Sequence, residues 1–344
     1  MQAVILVGGE GTRLRPLTST VPKPVVPLVD RPFIAYMLEW LKRHGVDDVI
    51  MSCGFMATSV HNVLGDGSAY GIRLRFVEEP EPRGTAGALK YAEQLLAERF
   101  LMLNGDVLTD MDLTAQIAQH EARGATATLG LVPVADPSAY GLVRTNEDSS
   151  VQGFLEKPSA DQIDTNLISA GAYVLERSVL DMIEPDRNVS IEREVWPRLV
   201  GEGLYAFAHD KAYWLDIGTP ETYLKATSDI LEGFVETAQV QRFGAGCAIA
   251  PDAHVGSTAV LGDGVTVGAG SRVERAVVLQ GSIVGAGCEL EDCIVAAGAR
   301  IGDGTIISHG AVLGEGVTIG RDNLLSHGIR VFPGTEIGDG AIRF

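Results

Sequence analysis

Hydrophobic positions follow one rhythm up to about residue 240 and another beyond it. In the first part, short β-rich runs, "AVILVGG", "DDVIMSCGF", "RLRFVEE" and "RFLMLNGDVL", alternate with "PFIAYMLEWLKRHG" and "TAGALKYAEQLLAE". The runs predict strands, and the intervening apolar positions, at helical spacing, predict helices. Strands alternating with helices give an α/β domain with a doubly wound, mainly parallel, Rossmann-like sheet. Ligands of such sheets bind at the carboxyl ends of the strands. "YGLVRTNEDSSVQGFLEKP" reads as a hairpin turning at "NEDSS", and "YLKATSDILEGFV" as a helix and linker.

Past residue 244 the period becomes six. Aliphatic residues stand at Ile249, Val255, Leu261, Val267, Val273 and Leu279, then at Val284, Leu290, Val295 and Ile301 after alternating steps of five and six. The six-residue step resumes through Ile307, Leu313, Ile319, Leu325, Val331 and Ile337. Such a hexad means a left-handed parallel β-helix whose coils stack aliphatic residues in columns; three hexads per coil give about five coils. The expected domains are therefore 1–240, with the linker helix, and 245–344.

Composition narrows the class. The longest apolar runs fall short of the roughly 18–20 residues of a membrane span. No basic segment precedes the first apolar run, which reads as a strand and not a signal peptide. Four cysteines without CxxC or zinc spacing fit a cytoplasmic protein with free thiols. A net charge of −18 argues against nucleic acid, yet leaves room for a single nucleotide, which needs few local cations.

The chemistry begins at "LVGGEGTRLRPLT". A strand runs into Gly8, Gly9 and Gly11, followed by Thr12, Arg13 and Arg15. The dinucleotide fingerprint fails at Leu14, and the P-loop's terminal Lys-Ser/Thr is missing. Downstream, Lys23 sits between prolines in a segment too stiff for a regular helix. Bare backbone with Arg13 and Lys23 suits a base and its polyphosphate. Asp106 in "LNGDVL" and Asp216 in "WLDIGTP" each follow an apolar run, and magnesium favours one or two carboxylates plus substrate phosphates.

"LVGGEGTRLRPLT…KP", "GTAGAL", "LNGDVL", "YGLV…FLEKP" and "WLDIGTP", in this order, resemble the sugar-1-phosphate nucleotidyltransferases along essentially the whole chain. "NGDV", "SIEREVWP" and "RVFPGTEIGDGAIR" resemble the branch of mannose-1-phosphate guanylyltransferases. The resemblance implies attack of a sugar-1-phosphate oxygen on the α-phosphorus of a nucleoside triphosphate. It places Asp106 and Asp216 on Mg2+, Arg13 and Lys23 on the phosphates, and Leu6, Gly8, Gly9, Gly11, Thr12, Arg13, Gly84 and Thr85 around the nucleotide. Lys157 grips the sugar phosphate, Glu156 and Ser169 face sugar hydroxyls, and Gly141 admits the sugar. Ser169 stands where relatives often carry asparagine, which leaves mannose and glucose both open.

Glu79 carries the base expectation. Thymidylyl- and uridylyltransferases typically hold glutamine there, five residues before the glycine of "GTAG". A carboxylate only accepts hydrogen bonds and matches the adjacent N1–H and N2 amino donors of guanine. The expected substrate is GTP, with glucose-1-phosphate uridylyl or thymidylyl transfer as the alternative. His309 and His327, one coil apart, should stack; this leaves a β-helix acetyltransferase as a second activity to weigh. A non-catalytic nucleotide-sugar-binding regulator is the third reading. The aliphatic end "AIRF" predicts self-association into a homo-oligomer, and removal of 245–344 is expected to disturb assembly more than chemistry.

Overall fold

The structure is a computed structural model that describes residues 1–54 and 56–343. Chain contacts divide it into two compact units, Met1–Gly9 with Met37–Trp214, and Glu10–Tyr36 with Leu215–Phe344. Phe344, part of the terminus read as driving self-association, lies outside the described residues.

The first unit is built on a nine-stranded sheet. Its strands are β1 (Gln2–Val7), β2 (Asp48–Cys53), β3 (Arg73–Glu78), β4 (Arg99–Asn104), β5 (Ala127–Pro133), β6 (Gly141–Thr145), β7 (Val151–Glu156), β8 (Leu167–Glu176) and β9 (Leu204–Ala208). The order is β7-β6-β8-β4-β1-β2-β3, with β5 joining β8 to β9. β1 pairs in parallel with β2 and β4, and β2 with β3; β7 and β8 run against their neighbours. Ala3, Val4 and Ile5 at the centre of β1 are fully buried, as expected of a parallel sheet covered on both faces. One apolar cluster joins Val4, Ile50, Phe100, Met102, Leu129, Tyr173 and Trp196. Helix α1 (Phe33–Arg43) begins in the second unit and ends in this one, closing at Gly45 in the left-handed conformation. Here α2 is Ala57–Leu64, α3 is Gly84–Tyr91 and α4 is Leu113–Arg123.

The helix expected over 85–98 is shorter than its pattern. After Tyr91 the backbone tightens into a 3-10 turn at Glu93–Leu95, and the Leu96 carbonyl is taken by the Arg177 guanidinium. The expected hairpin is present as β6 and β7, with the Asn146 N–H donating to Ser150 O at 2.9 Å.

In the second unit, sixteen short strands from Ala248–Ile249 to Glu336–Ile337 stack in three parallel sheets of six, five and five, a left-handed β-helix. The columns are Ile249–Val267–Val284–Ile301–Ile319–Ile337, Val255–Val273–Leu290–Ile307–Leu325 and Leu261–Val278–Val295–Leu313–Val331. The stacked residue of the third column is thus Val278, and Leu279 is buried just outside it. The first short step falls at the corner carrying Arg275, between Val273 and Val278, one coil position earlier than the sequence spacing placed it, and the second falls between Leu290 and Val295 as that spacing has it.

Helix α5 (Pro220–Glu232) also belongs to this unit, capped by Thr219, whose hydroxyl accepts from the Thr222 N–H. So does the segment 10–36. It folds as 3-10 turns and a small hairpin, Pro27–Leu28 against Arg31–Pro32, as prolines at 16, 22, 24 and 27 dictate. Tyr223 of α5 donates its hydroxyl to Pro27 O, Arg31 Nη2 donates to Gln239 O at 2.8 Å, and the Gln241 N–H donates to Asp30 Oδ2 at 2.8 Å.

Candidate active site

The first unit gathers its candidate residues at the carboxyl ends of β1 to β4. β1 lies between β4 and β2, the place where connections leave in opposite directions and open a crevice. Glycines let the strand ends close up. A Cβ on Gly105 would fall 2.4 Å from Val7 Cγ1, and one on Gly54 would fall 3.0 Å from Gly8 O. The Gly105 N–H donates to Leu6 O at 3.0 Å, which fixes Asp106 beside the end of β1. Leu6 is half-buried, and Gly8 and Gly9 are exposed.

Glu79 is set on the same rim. The Ser52 hydroxyl donates to its Oε1 at 2.8 Å, and its own N–H donates to Cys53 O at 2.9 Å. A Cβ on Gly8 would stand 3.9 Å from that Oε1. Glu79 is half-buried, whereas its neighbours Glu78 and Glu81 are exposed.

Gly84 and Thr85 serve the framework. Gly84 is left-handed, and a Cβ there would fall 2.6 Å from Val189 O. The Thr85 hydroxyl donates to Glu192 Oε2 at 2.7 Å and accepts from the Ile191 N–H at 2.8 Å. Ser190 Oγ donates to the same Glu192 oxygen at 2.7 Å.

Around the buried Tyr173 the remaining residues meet. Ser169 Oγ and the Tyr173 hydroxyl are 2.9 Å apart, across a bulge where β8 loses register. Burial first, and then the negative charge of Glu192, Glu156 and Asp106, push the Tyr173 phenol up, so it stays protonated. Burial, with Glu192 adding to it, also raises Glu156 above the usual carboxylate range, against the opposing pull of Lys157 and Arg193. Gly141 lies directly opposite Glu156 in the hairpin, and a Cβ there would strike the Phe154 ring at 2.4 Å. Lys157 is exposed and left-handed, with its N–H donating to Tyr140 O at 3.0 Å. Trp214 Nε1 donates to Ala170 O at 2.9 Å, next to Ser169.

In the second unit, Arg13 Nη2 stands 3.8 Å from Asp216 Oδ2 and Lys23 Nζ stands 4.0 Å from Asp216 Oδ1. The guanidinium lies against bare backbone: a Cβ on Gly218 would fall 2.6 Å from Arg13 Nη2. Gly11 is left-handed and packs against Lys23 Cβ, held by the buried Thr18, whose hydroxyl donates to Gly11 O at 2.7 Å. Thr12 opens the exposed turn that carries Arg13. Arg13, Lys23 and Asp216 thus form one mixed-charge cluster in this unit, with two cations able to pair with anionic oxygens.

The structure thus groups Gly8, Gly9, Glu79, Gly84, Thr85, Asp106, Gly141, Glu156, Lys157 and Ser169 in the first unit and Gly11, Thr12, Arg13, Lys23 and Asp216 in the second. Sequence reasoning missed Glu192 and Tyr173. In the sequence, "SIEREVWP" stands only as a motif of the resemblance; in the fold Ser190 caps this turn by accepting from the Arg193 N–H, and Glu192 turns to Thr85.

Comparison with known proteins agrees with these features. A family model described as nucleotidyl transferase matches residues 2–233, and one described as GMPPB C-terminal domain matches 242–342. A mannose-1-phosphate guanylyltransferase of Mycobacterium tuberculosis is 39% identical over 288 residues, 81% of this chain and 79% of the relative. A UTP–glucose-1-phosphate uridylyltransferase of Synechocystis is 31% identical, covering 70% of this chain and 66% of the relative. The crystal structure of HddC from Yersinia pseudotuberculosis complexed with GMP-PN superposes with a TM-score of 0.56 at 31% identity, covering 65% of this chain and 97% of HddC. With the sheet domain matched almost throughout, the chain belongs to the nucleotidyl transferase family.

Proposed function

We propose that this nucleotidyltransferase moves GMP from GTP to mannose-1-phosphate, giving GDP-mannose and pyrophosphate. An oxygen of the sugar phosphate forms the new bond to the α-phosphorus as the α–β bridging P–O bond breaks, and its electrons leave with pyrophosphate. The sugar phosphate is anionic near neutral pH, so catalysis reduces to alignment and charge stabilisation. Arg13 and Lys23 take the triphosphate and the negative charge that builds on departing pyrophosphate. Lys157 holds the sugar phosphate, and Glu156 and Ser169 accept from sugar hydroxyls.

Mg2+ fits the donor chemistry of both aspartates. Asp106 adds to the acidic surroundings of Tyr173 together with Glu156 and Glu192, and Asp216 offers hard carboxylate oxygens beside two phosphate-binding cations. When bound, the ion supplies positive charge that neutralises phosphate oxygens in the transition state.

The observation that carries the choice of guanine is the carboxylate of Glu79, held by Ser52 beside Gly8. Anchored in this way, it presents acceptors to the paired N1–H and N2–H donors of guanine and repels the carbonyls of uracil or thymine. The test is kcat/KM by pyrophosphate release for GTP, UTP and dTTP, with mannose- and glucose-1-phosphate, in the parent and in Glu79→Gln. The parent should favour GTP with mannose-1-phosphate. The variant should move the GTP-to-UTP ratio by about 5–150-fold towards UTP, the range a mismatched polar contact produces. A parent preferring UTP or dTTP, or an unchanged ratio in the variant, overturns the assignment.

A further inference from the structure

The transfer reaction leaves unused a pair of histidines on the β-helix. One corner of the coil places a residue in the left-handed region at four successive levels: Arg275, Asp292, His309 and His327, with φ of 43°, 48°, 51° and 57°. At the first step Arg275 clamps Asp292 through Nε and Nη2, at 2.7 and 2.9 Å. At the last step like meets like. The His309 and His327 rings stack with centroids 5.8 Å apart and planes 12° from parallel, and both residues are exposed.

Each ring is also fixed from behind. Nδ1 of His309 is 2.8 Å from Ser308 Oγ, and Nδ1 of His327 is 2.5 Å from Ser326 Oγ, both serines being buried. In the tautomer whose Nδ1–H donates to serine, Nε2 carries the lone pair. A histidine that ligates a metal is ordinarily prepared in this way, its second nitrogen donating to an anchored acceptor. The same preparation is built twice, one coil apart, with the Gly328 N–H donating to His309 O at 2.8 Å to hold the coils in register.

We propose that His309 and His327 form a surface site for one borderline divalent metal ion of the Ni2+, Cu2+ or Zn2+ type. Backbones of stacked coils lie roughly 4.8 Å apart, so a modest tilt of each ring brings both Nε2 atoms within about 2.1 Å of a shared ion. Imidazole nitrogen selects these metals, whereas Mg2+ prefers oxygen and keeps its waters. Among the described residues no cluster of three or more histidine, cysteine or acidic side chains is placed to hold a metal. The protein therefore gives two ligands, and water or a further donor completes the shell. Binding must weaken in acid, because protons compete for the same lone pairs.

The test uses the full chain, with Ni2+ titrated calorimetrically in excess Mg2+ so that carboxylate sites are occupied. The variants are His309→Asn and His327→Asn, since asparagine tolerates the left-handed backbone, and Ser308→Ala, which removes only one rear anchor. One Ni2+ per chain is expected, with affinity lowered about 10-fold or more in each histidine variant and by a smaller factor in Ser308→Ala. Cu2+ bound to the parent should show two nitrogen couplings in its electron paramagnetic resonance spectrum, and each histidine variant one. Nucleotidyl transfer in Mg2+ should be unchanged throughout. A parent that takes up no Ni2+, histidine variants that bind it as the parent does, or a single nitrogen coupling in the parent each overturn the proposal.

Discussion

Asp216 shows how one side chain is tuned by what surrounds it. Its carboxylate stands about 4 Å from two cations, close enough for attraction and too far for either to claim it by a direct hydrogen bond. Removing its charge leaves Arg13 and Lys23 in place but takes away a proposed metal ligand. Asp216→Asn, and independently Asp106→Asn, should lower kcat by at least ~10²-fold at saturating Mg2+, about 2.7 kcal/mol of lost transition-state stabilisation. Steady-state rates at several Mg2+ concentrations check this, and an unchanged kcat in either variant removes that residue from the metal. At this scale the sequence was informative where chemistry is written in residue type. Glu79 could be singled out because a carboxylate and an amide present different hydrogen-bonding groups. Glu192 could not, because its partner Thr85 lies 107 positions away and only the fold joins them.

Between elements, α4 shows how a buried polar contact makes packing depend on pH. His209, just beyond β9, is buried with Nε2 3.0 Å from Gln116 Oε1 on α4, and Gln116 also donates to Thr128 O and Ala172 O of the sheet. Burial pulls the imidazole from its usual 6.5 down to about 4, so the folded protein keeps it neutral while the unfolded chain protonates it below about 6.5. Its stabilisation is therefore complete above pH 6.5 and is lost as pH falls from 6.5 through 4, by about 3 kcal/mol at most. Urea midpoints measured across that window should fall steeply in the parent and less so in His209→Asn. Burial also lowers His120, so part of the slope should remain. The hexad was legible as an element because columns repeat the same apolar type at every level. The misplaced Leu279 has a simple cause: "AVVL" offers three adjacent aliphatic residues, and only the short corner at Arg275 decides that Val278 joins the column.

For the molecule as a whole, contacts group residues 10–36 with the unit that carries the coils. The segment with Arg13 and Lys23 is fastened within the unit that carries the coils. Asp30 and Arg31 grip the backbone of residues 239–241. That backbone is in turn held by the first coils, through Arg242 to Gly256 O at 2.6 Å and Gly244 N–H to Leu261 O at 2.7 Å. Removal of 245–344 takes away Gly256 and Leu261, so it should loosen the clasp as well as alter assembly. We expect kcat/KM for the nucleotide to fall ~10-fold or more, the scale on which small misplacements act. Sedimentation and pyrophosphate release on the truncated chain, with Asp30→Ala as a milder probe, check both effects. A truncated protein with full kcat/KM would show that the clasp does not matter.

The grip of Asp30 and Arg31 on residues 239–241 also imposes a thermodynamic symmetry. Any partner that seizes the coils and shifts this clasp will alter how tightly the chain holds a polyphosphate. The polyphosphate must then alter the hold on that partner by the same factor and in the same direction. Measuring either affinity with and without the other occupant yields a single coupling constant, and that constant expresses the mechanical link between coils and phosphate loop as a ratio of two binding strengths.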